Sequence, residues 1–234
     1  VRPHPSVQDA YSIELDIPLA DAAKKPDVVS DIFGKIINYC RDKIPQPHVE
    51  KTRLFVFATA GMRLLRHDEQ ERILDSVHDF LLKNSPFKLK RRYIRVISGL
   101  EEGLYGWVSV NHLLNIFETD KPTVGALDLG GASFQIAIQV PGAASSSSLY
   151  NVTIGNKHLK LFAHSYLGYG VNQALKKITN SIAAVQDTKF ITNPCVHADY
   201  RGQIDDVFFV GTGNFTMCSK LISAMLIKSP EFET

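Results

Sequence analysis

Apolar residues recur with two different periods along this chain, and the switch between them divides it. Val28, Val29, Ile32, Ile36 and Ile37 fall on one stripe at helical spacing, and Pro45 and Pro47 close that segment. Before it, YSIELDIP (11–18) predicts a short strand. TRLFVFAT (52–59) is short, apolar and aromatic-rich, and reads as a buried strand. Asp68 is placed to cap a helix that carries Ile73, Val77, Phe80 and Leu81 and ends before Pro86. YIRVIS (93–98) predicts the next strand, a helix covers about 100–117, and TVGALDL (123–129) is again a strand. Strands alternating with helices imply a largely parallel sheet with helices on its faces, an α/β class.

From 130 the period shortens to two. SFQIAIQ, LYNVTI and HLKLFAHS predict antiparallel strands, with Ala143 to Ser148 as a turn between two of them. A helix follows at about 170–184. IDDVFFV (204–210) reads as one more strand, followed by Gly211-Thr-Gly213 and a helix to about 227. The boundary between two lobes is placed near Thr119-Asp-Lys-Pro122, giving 1–120 and 121–234.

Composition narrows the function classes. The 234 residues are 44% hydrophobic and 21% charged, enough for one large domain or two modest lobes. A net charge of +2 leaves no strong nucleic-acid or membrane footprint, and the basic run Lys88, Lys90, Arg91, Arg92 reads as the solvated flank of a strand. No apolar run is long enough to span a bilayer. The chain opens at Val1 without Met or a visible signal peptide, so a processed or truncated product is expected. Cys40, Cys195 and Cys218 do not fix the compartment by count alone. Asn151-Val-Thr153 and Asn214-Phe-Thr216 fit the glycosylation triplet and lean toward a secretory route.

Chemistry concentrates where strands end, the place where ligands collect in open α/β sheets. In FATAGMRLL, Thr59 leaves the strand and Gly61 turns the chain, while Arg63 is either solvent-facing or structural. In SGLEEGLYGWVSVN, Glu101 and Glu102 open a helix. They are either first-turn acids complementing the helix dipole or, for one of them, a base that accepts a proton from water. Gly103 and Gly106 leave room for close approach beside Trp107. In GALDLGGASFQIAIQ, Asp128 is expected at the buried end of a strand, where an unpaired carboxylate is costly and calls for a cation or donors. Gly130 and Gly131 let backbone amides face an anion, and Ser133 and Gln135 share one strand face. A plain hairpin with a buried acid is the alternative. In FFVGTGNFTMC, a glycine turn with Asn214 as the helix cap competes with a phosphate loop.

ATAGMRLL, SGLEEGLYGWVSVN and ALDLGGASFQIA, in that order, resemble three signature motifs of the nucleoside triphosphate diphosphohydrolase (apyrase) family. AHSYLGYGVNQAL, NPCVHADY and GTGNFTMC match supporting stretches. The resemblance covers nearly the whole chain. It implies the actin-like (ribonuclease H-like) two-lobed fold, a nucleoside di- or triphosphate substrate and a divalent cation, Ca²⁺ or Mg²⁺. By the same resemblance Glu102 is the catalytic base, with Glu101 the lesser candidate. Thr59, Ser133 and Gln135 hold water and phosphoryl oxygens, and Asp128 belongs to the metal's water shell. Gly130, Gly131 and Ala132 form the second-lobe phosphate loop, and Cys195 pairs with Cys218, leaving Cys40 unpaired. Glu102 and the loop beginning at 128 are then expected to flank one phosphoryl group.

The first and last family motifs have no counterpart in these 234 residues, and Gly168 stands where the family has a cysteine. The resemblance therefore implies an internal fragment, truncated at both ends and poorly active alone. Its parent is implied to be membrane-anchored through segments absent here, at the cell surface or in the Golgi lumen, or secreted. An exopolyphosphatase or guanosine pentaphosphatase of the same superfamily, and a non-catalytic nucleotide binder, are the competing readings.

Overall fold

The computed structural model describes residues 12–140 and 148–227. Compactness groups the chain into two units. One runs to Asp128 and resumes over Gln135–Leu167; the other comprises Leu129–Phe134 and the chain from Gly168. Trp107 packs with Ala137, Leu161 and Ala163, which ties the strands after 135 to the helix before 120.

In the first unit, helices α1 (Val28–Lys43), α2 (Gln46–Val49), α3 (Ala60–Arg63) and α4 (His67–Asn84) accompany the parallel strands β1 (Val56–Ala58) and β2 (Ile94–Val96). Val56 lies opposite Ile94 and Ala58 opposite Val96. Val28, Val29, Ile32, Phe33 and Ile37 of α1 meet Ile73, Leu74, Val77 and Leu81 of α4 over Ala58 and Ile94. Each such buried side chain contributes roughly 1.5–3 kcal/mol, which outweighs the propensity differences within either helix. The predicted stripe is therefore the core-facing one. Asp68 is not the cap, which falls at Arg66; Asp68 lies in the first turn of α4 and pairs with Arg66 at 2.6 Å. β1 is shorter than expected and only half buried. Phe55 and Phe57 are exposed, because successive side chains of a strand face opposite ways and only one face of β1 meets α1 and α4. Residues 12–18 form no strand; Leu15 and Ile17 pack on the first core without a ladder partner.

The helix predicted at 100–117 is α5 (Gly99–Leu113), which stops short because Asn115 adopts a left-handed conformation. β3 (Ala126–Leu129), β4 (Ser133–Gln139), β5 (Leu149–Ile154) and β6 (Lys157–Leu167) form a sheet of order β3-β4-β6-β5. β5 and β6 pair antiparallel, as their alternation predicts. Of the tract from Ala143 to Ser148 predicted as a turn, only Ser148 is among the described residues. Asn111, fully buried on α5, accepts from the Val124 amide and donates to the Val124 carbonyl, anchoring the approach to β3.

The second unit contains α6 (Val171–Gln186), α7 (Phe215–Ile227) and a three-stranded sheet of order β7-β9-β8. The single strand expected at 204–210 is the end of a hairpin: β8 (Arg201–Ile204), a turn with Asp205 at positive φ, and β9 (Val207–Gly211). β7 (Phe190–Asn193), which sequence reading missed, pairs parallel to β9. Asn214 caps α7 by accepting from the Met217 amide, so the glycine-turn reading of GTGN holds. Cys195 and Cys218 form the disulfide, and Cys40 is free.

Candidate active site

The carboxyl ends of β1 and β2 set the first group of polar residues. The Ile97 amide donates to the Ala58 carbonyl, which aligns the segments leaving the two strands. Thr59 begins α3; its carbonyl accepts the first amides of the helix, and its exposed side chain makes no capping hydrogen bond. Four residues on, Arg63 turns inward. One guanidinium nitrogen donates to the Ile97 carbonyl at 2.9 Å and another to Glu102 Oε2 at 2.7 Å.

Ser98 starts α5 with a reciprocal cap. Its hydroxyl accepts from the Glu101 amide, and Glu101 accepts from the Ser98 amide. Arg95 closes on the same carboxylate at 2.8 Å. The Arg95 hydrogen bond, helped by the Ser98 amide and hydroxyl and opposed by partial burial, holds the Glu101 carboxyl down to about 2. Glu101 is therefore the dipole-complementing residue of the pair. A depressed carboxyl stabilises the fold above its ordinary value near 4.5, and that contribution is lost as pH falls toward 2. Glu101→Gln should thus lower the melting temperature at pH 7, and its difference from the parent should close on acidification across that window. A difference that persists unchanged to pH 2 would mean the charge pair does not stabilise α5.

Glu102 sits one residue further, about 100° around the helix. Its side chain is 17% exposed. Oε2 accepts from both Arg63 and Gln135 Nε2, the latter at 3.2 Å, while Oε1 has no protein partner among the described residues. Gln135 also donates to Ser165 Oγ at 3.0 Å. Along β4 the predicted alternation is present, and the polar set, Ser133 and Gln135 with Ala137, is the buried one. Gly103 allows α5 to lie against Gln135, its open side 3.5 Å from Gln135 Cβ; Gly106 meets nothing within 4 Å, so close approach does not explain it.

Asp128 departs from its expectation. It is exposed on β3, the edge of its sheet, so burial imposes no demand for a partner. No three His, Cys, Asp or Glu residues converge on a metal position among the described residues.

In the second unit, residues 130–132 form a turn whose carbonyls are all engaged. Gly130 O accepts from the Val171 amide, Gly131 O from the Asn172 and Gln173 amides, and Ala132 O from the Gly168 amide. The first amides of α6, which a helix leaves unpaired within itself, are spent on this turn. The Gly130 amide donates back to Ser133 O, whereas the amides of Gly131 and Ala132 have no protein acceptor among the described residues. Each of these two amides shares a peptide unit with a carbonyl that α6 polarises, which strengthens it as a donor. Neither Gly130 nor Gly131 has positive φ; the turn needs no left-handed backbone.

The structure thus brings Glu102 and Gln135 together and adds Arg63 and Ser165, to which sequence reading assigned no role. Arg63 was discoverable: it follows Thr59 by four residues, so both fall on one side of the turn leaving β1. Ser165 had no local signal, since only the β4–β6 pairing delivers it.

A model of the GDA1/CD39 (nucleoside phosphatase) family matches residues 7–233. The chain is 33% identical over 235 residues to the Golgi apyrase of Schizosaccharomyces pombe, covering 93% of this chain and 41% of that protein. It is 29% identical over 238 residues to the nucleoside-diphosphatase mig-23 of Caenorhabditis elegans, covering 89% of this chain and 43% of that protein. The chain therefore spans about two fifths of the length of these relatives. A crystal structure of nucleoside triphosphate hydrolases from Neospora caninum aligns with a TM-score of 0.60 at 16% identity, over 85% of this chain and 52% of that one. That likeness bears out the α/β, actin-like fold class.

Proposed function

The chain belongs to the GDA1/CD39 (nucleoside phosphatase) family, and from that premise we propose that it carries the water-activating part of a hydrolase acting on the terminal phosphate of nucleoside tri- or diphosphates. The observation that carries this reading is the asymmetry of Glu102. One carboxylate oxygen is held by Arg63 and Gln135, and the other is left to accept a proton from water. Water attacks the terminal phosphorus, the proton passes to Glu102, and the bond to the leaving phosphate oxygen breaks. In this reading Thr59, Gln135 and Ser133 hold the transferred group or the attacking water. The turn at 130–132 supports phosphate binding through the amides of Gly131 and Ala132.

A divalent cation, when bound, would neutralise charge on the transferred phosphoryl group. Asp128 offers an exposed carboxylate, and no three His, Cys, Asp or Glu residues converge on a metal position among the described residues. That fits an ion held largely by waters and phosphate oxygens, as Mg²⁺ is and Ca²⁺ can be, and does not fit one caged by protein ligands. The disulfide and the exposed Asn151 on β5 favour a lumenal or extracellular setting. No helix among the described residues is long and apolar enough to cross a membrane.

Phosphate release by the full-length protein that contains this chain, with Ca²⁺ or Mg²⁺, from UDP, GDP, ATP and long-chain polyphosphate tests the proposal. Release from the nucleotides, with polyphosphate at least about tenfold poorer in kcat/KM, is expected. Preference for polyphosphate would move the protein to the exopolyphosphatase reading. Nucleotide binding without release would leave a non-catalytic binder.

A further inference from the structure

β5 ends the sheet β3-β4-β6-β5, so one side of its backbone has no strand partner among the described residues. Such an edge is a template for pairing with another chain, and charged residues, proline or a bulge ordinarily block it. LYNVTI (149–154) has neither charge nor proline. Its pairing with β6 runs in unbroken register from Leu149 opposite Phe162 to Ile154 opposite Lys157, so no bulge turns it aside. An uncharged run rich in β formers is also the composition that stacks between chains. The same strand holds the triplet Asn151-Val-Thr153. We infer that Asn151 carries an N-linked glycan and that this glycan closes the edge of β5.

Tyr150, Val152 and Ile154 pack toward Trp107, so Asn151 and Thr153 face the other way, and both are exposed. The extended backbone thus presents the amide to be modified and the hydroxyl that completes the triplet from one side. Thr153 Oγ1 lies 3.1 Å from Nδ1 of exposed His158, its cross-strand partner, which keeps the hydroxyl on that open face. The second triplet is presented differently. Asn214 Oδ1 is spent on the Met217 amide as the cap of α7, and Thr216 lies in the first turn of that helix, where a step of two residues turns about 200°. The donor for the transfer is an oligosaccharide joined through a diphosphate to a lipid. Asn151 Nδ2 bonds to the first sugar carbon and gives up one proton. The bond from that carbon to the diphosphate oxygen breaks, and its electron pair leaves with the lipid diphosphate. The glycan then stands near the middle of the edge, where its bulk excludes a second strand.

The inference rests on the lumenal or extracellular setting proposed above and not on the hydrolase chemistry. The test expresses the full-length protein that contains this chain in a glycosylating eukaryotic cell and releases N-glycans enzymatically in ¹⁸O-water. Peptide mass mapping should find the ¹⁸O label at position 151 in the parent and in Thr153→Ser, and an unmodified asparagine there in Thr153→Ala. Thr153→Ser keeps the hydroxyl that the triplet and His158 use. By light scattering, Thr153→Ala should self-associate at least about threefold more than Thr153→Ser, and Asn151→Lys, which loses the glycan but charges the edge, should stay at the parent level. A formed Cys195–Cys218 disulfide with Asn151 unmodified, or a glycan at Asn214 alone, overturns the inference. Absence of both the disulfide and the glycan overturns the proposed setting along with it. Equal self-association of Thr153→Ala and Thr153→Ser overturns the protection of the edge.

Discussion

Glu102→Gln in the full-length protein that contains this chain is expected to lower the rate of phosphate release by about a hundred- to ten-thousandfold while nucleotide affinity stays within a few-fold. The substitution is nearly isosteric. The new amide's oxygen can still accept from Arg63 and Gln135, so the local network keeps its shape. What changes is the other side of the group. Oε1, now without a protein partner among the described residues, is replaced by an NH₂ that cannot take a proton. Arg63 keeps its bond to the Ile97 carbonyl in either case, so the guanidinium is not stranded. Single-turnover release and nucleotide titration by calorimetry separate chemistry from binding. Glu101→Gln serves as the comparison, because Glu101 is committed to Ser98 and Arg95 and should affect stability more than rate. Loss of binding together with rate in Glu102→Gln, with folding intact, would make Glu102 a structural residue and remove the base from the proposal.

Elements were legible in the sequence where the cue was local. The stripe on α1, the alternation in β4 and β6, and the cap of α7 by Asn214 each depend on residues within a turn or a strand of one another. Burial was legible only as far as neighbours were known. An apolar TRLFVFAT reads as buried until one learns that only one face of β1 meets α1 and α4, which leaves Phe55 and Phe57 exposed. Asp128 failed for the same reason: an acid closing an apolar run looks buried, yet β3 is an edge strand. The pair Glu101–Glu102 shows what sequence leaves undecided. Two adjacent acids in a first turn are equivalent by composition. They separate only when Arg95 and the Ser98 amide take one, while Arg63, five residues past the end of a different strand, takes the other. Ser165 was out of reach because its partner lies 30 positions away on a neighbouring strand.

Gly170→Ala is expected to abolish or sharply weaken nucleotide binding, raising the dissociation constant by about a hundredfold or more. Gly131→Ala, one of the two glycines of the loop itself, should cost about tenfold or less. The two sites differ in what a methyl group would strike. At Gly170, which has ordinary extended dihedrals, backbone strain is not the obstacle. A Cβ there would lie 2.5 Å from Ala132 N, Gly130 O and Gly131 C, three backbone atoms of the turn that no rotamer can move aside. At Gly131 the nearest atom is Asn172 Nδ2 at 2.9 Å, the end of a side chain that can rotate away. Relieving the first clash must shift the turn off the start of α6 and break the bonds from Val171 and Asn172 that polarise it, at a cost of roughly 1–3 kcal/mol in stability. The same shift re-aims the Gly131 and Ala132 amides. Thermal unfolding and nucleotide titration on both variants measure the two consequences side by side. Equal affinities for Gly170→Ala and the parent, in a variant shown to fold, would mean that these amides do not hold the phosphate and that the turn serves only to start α6.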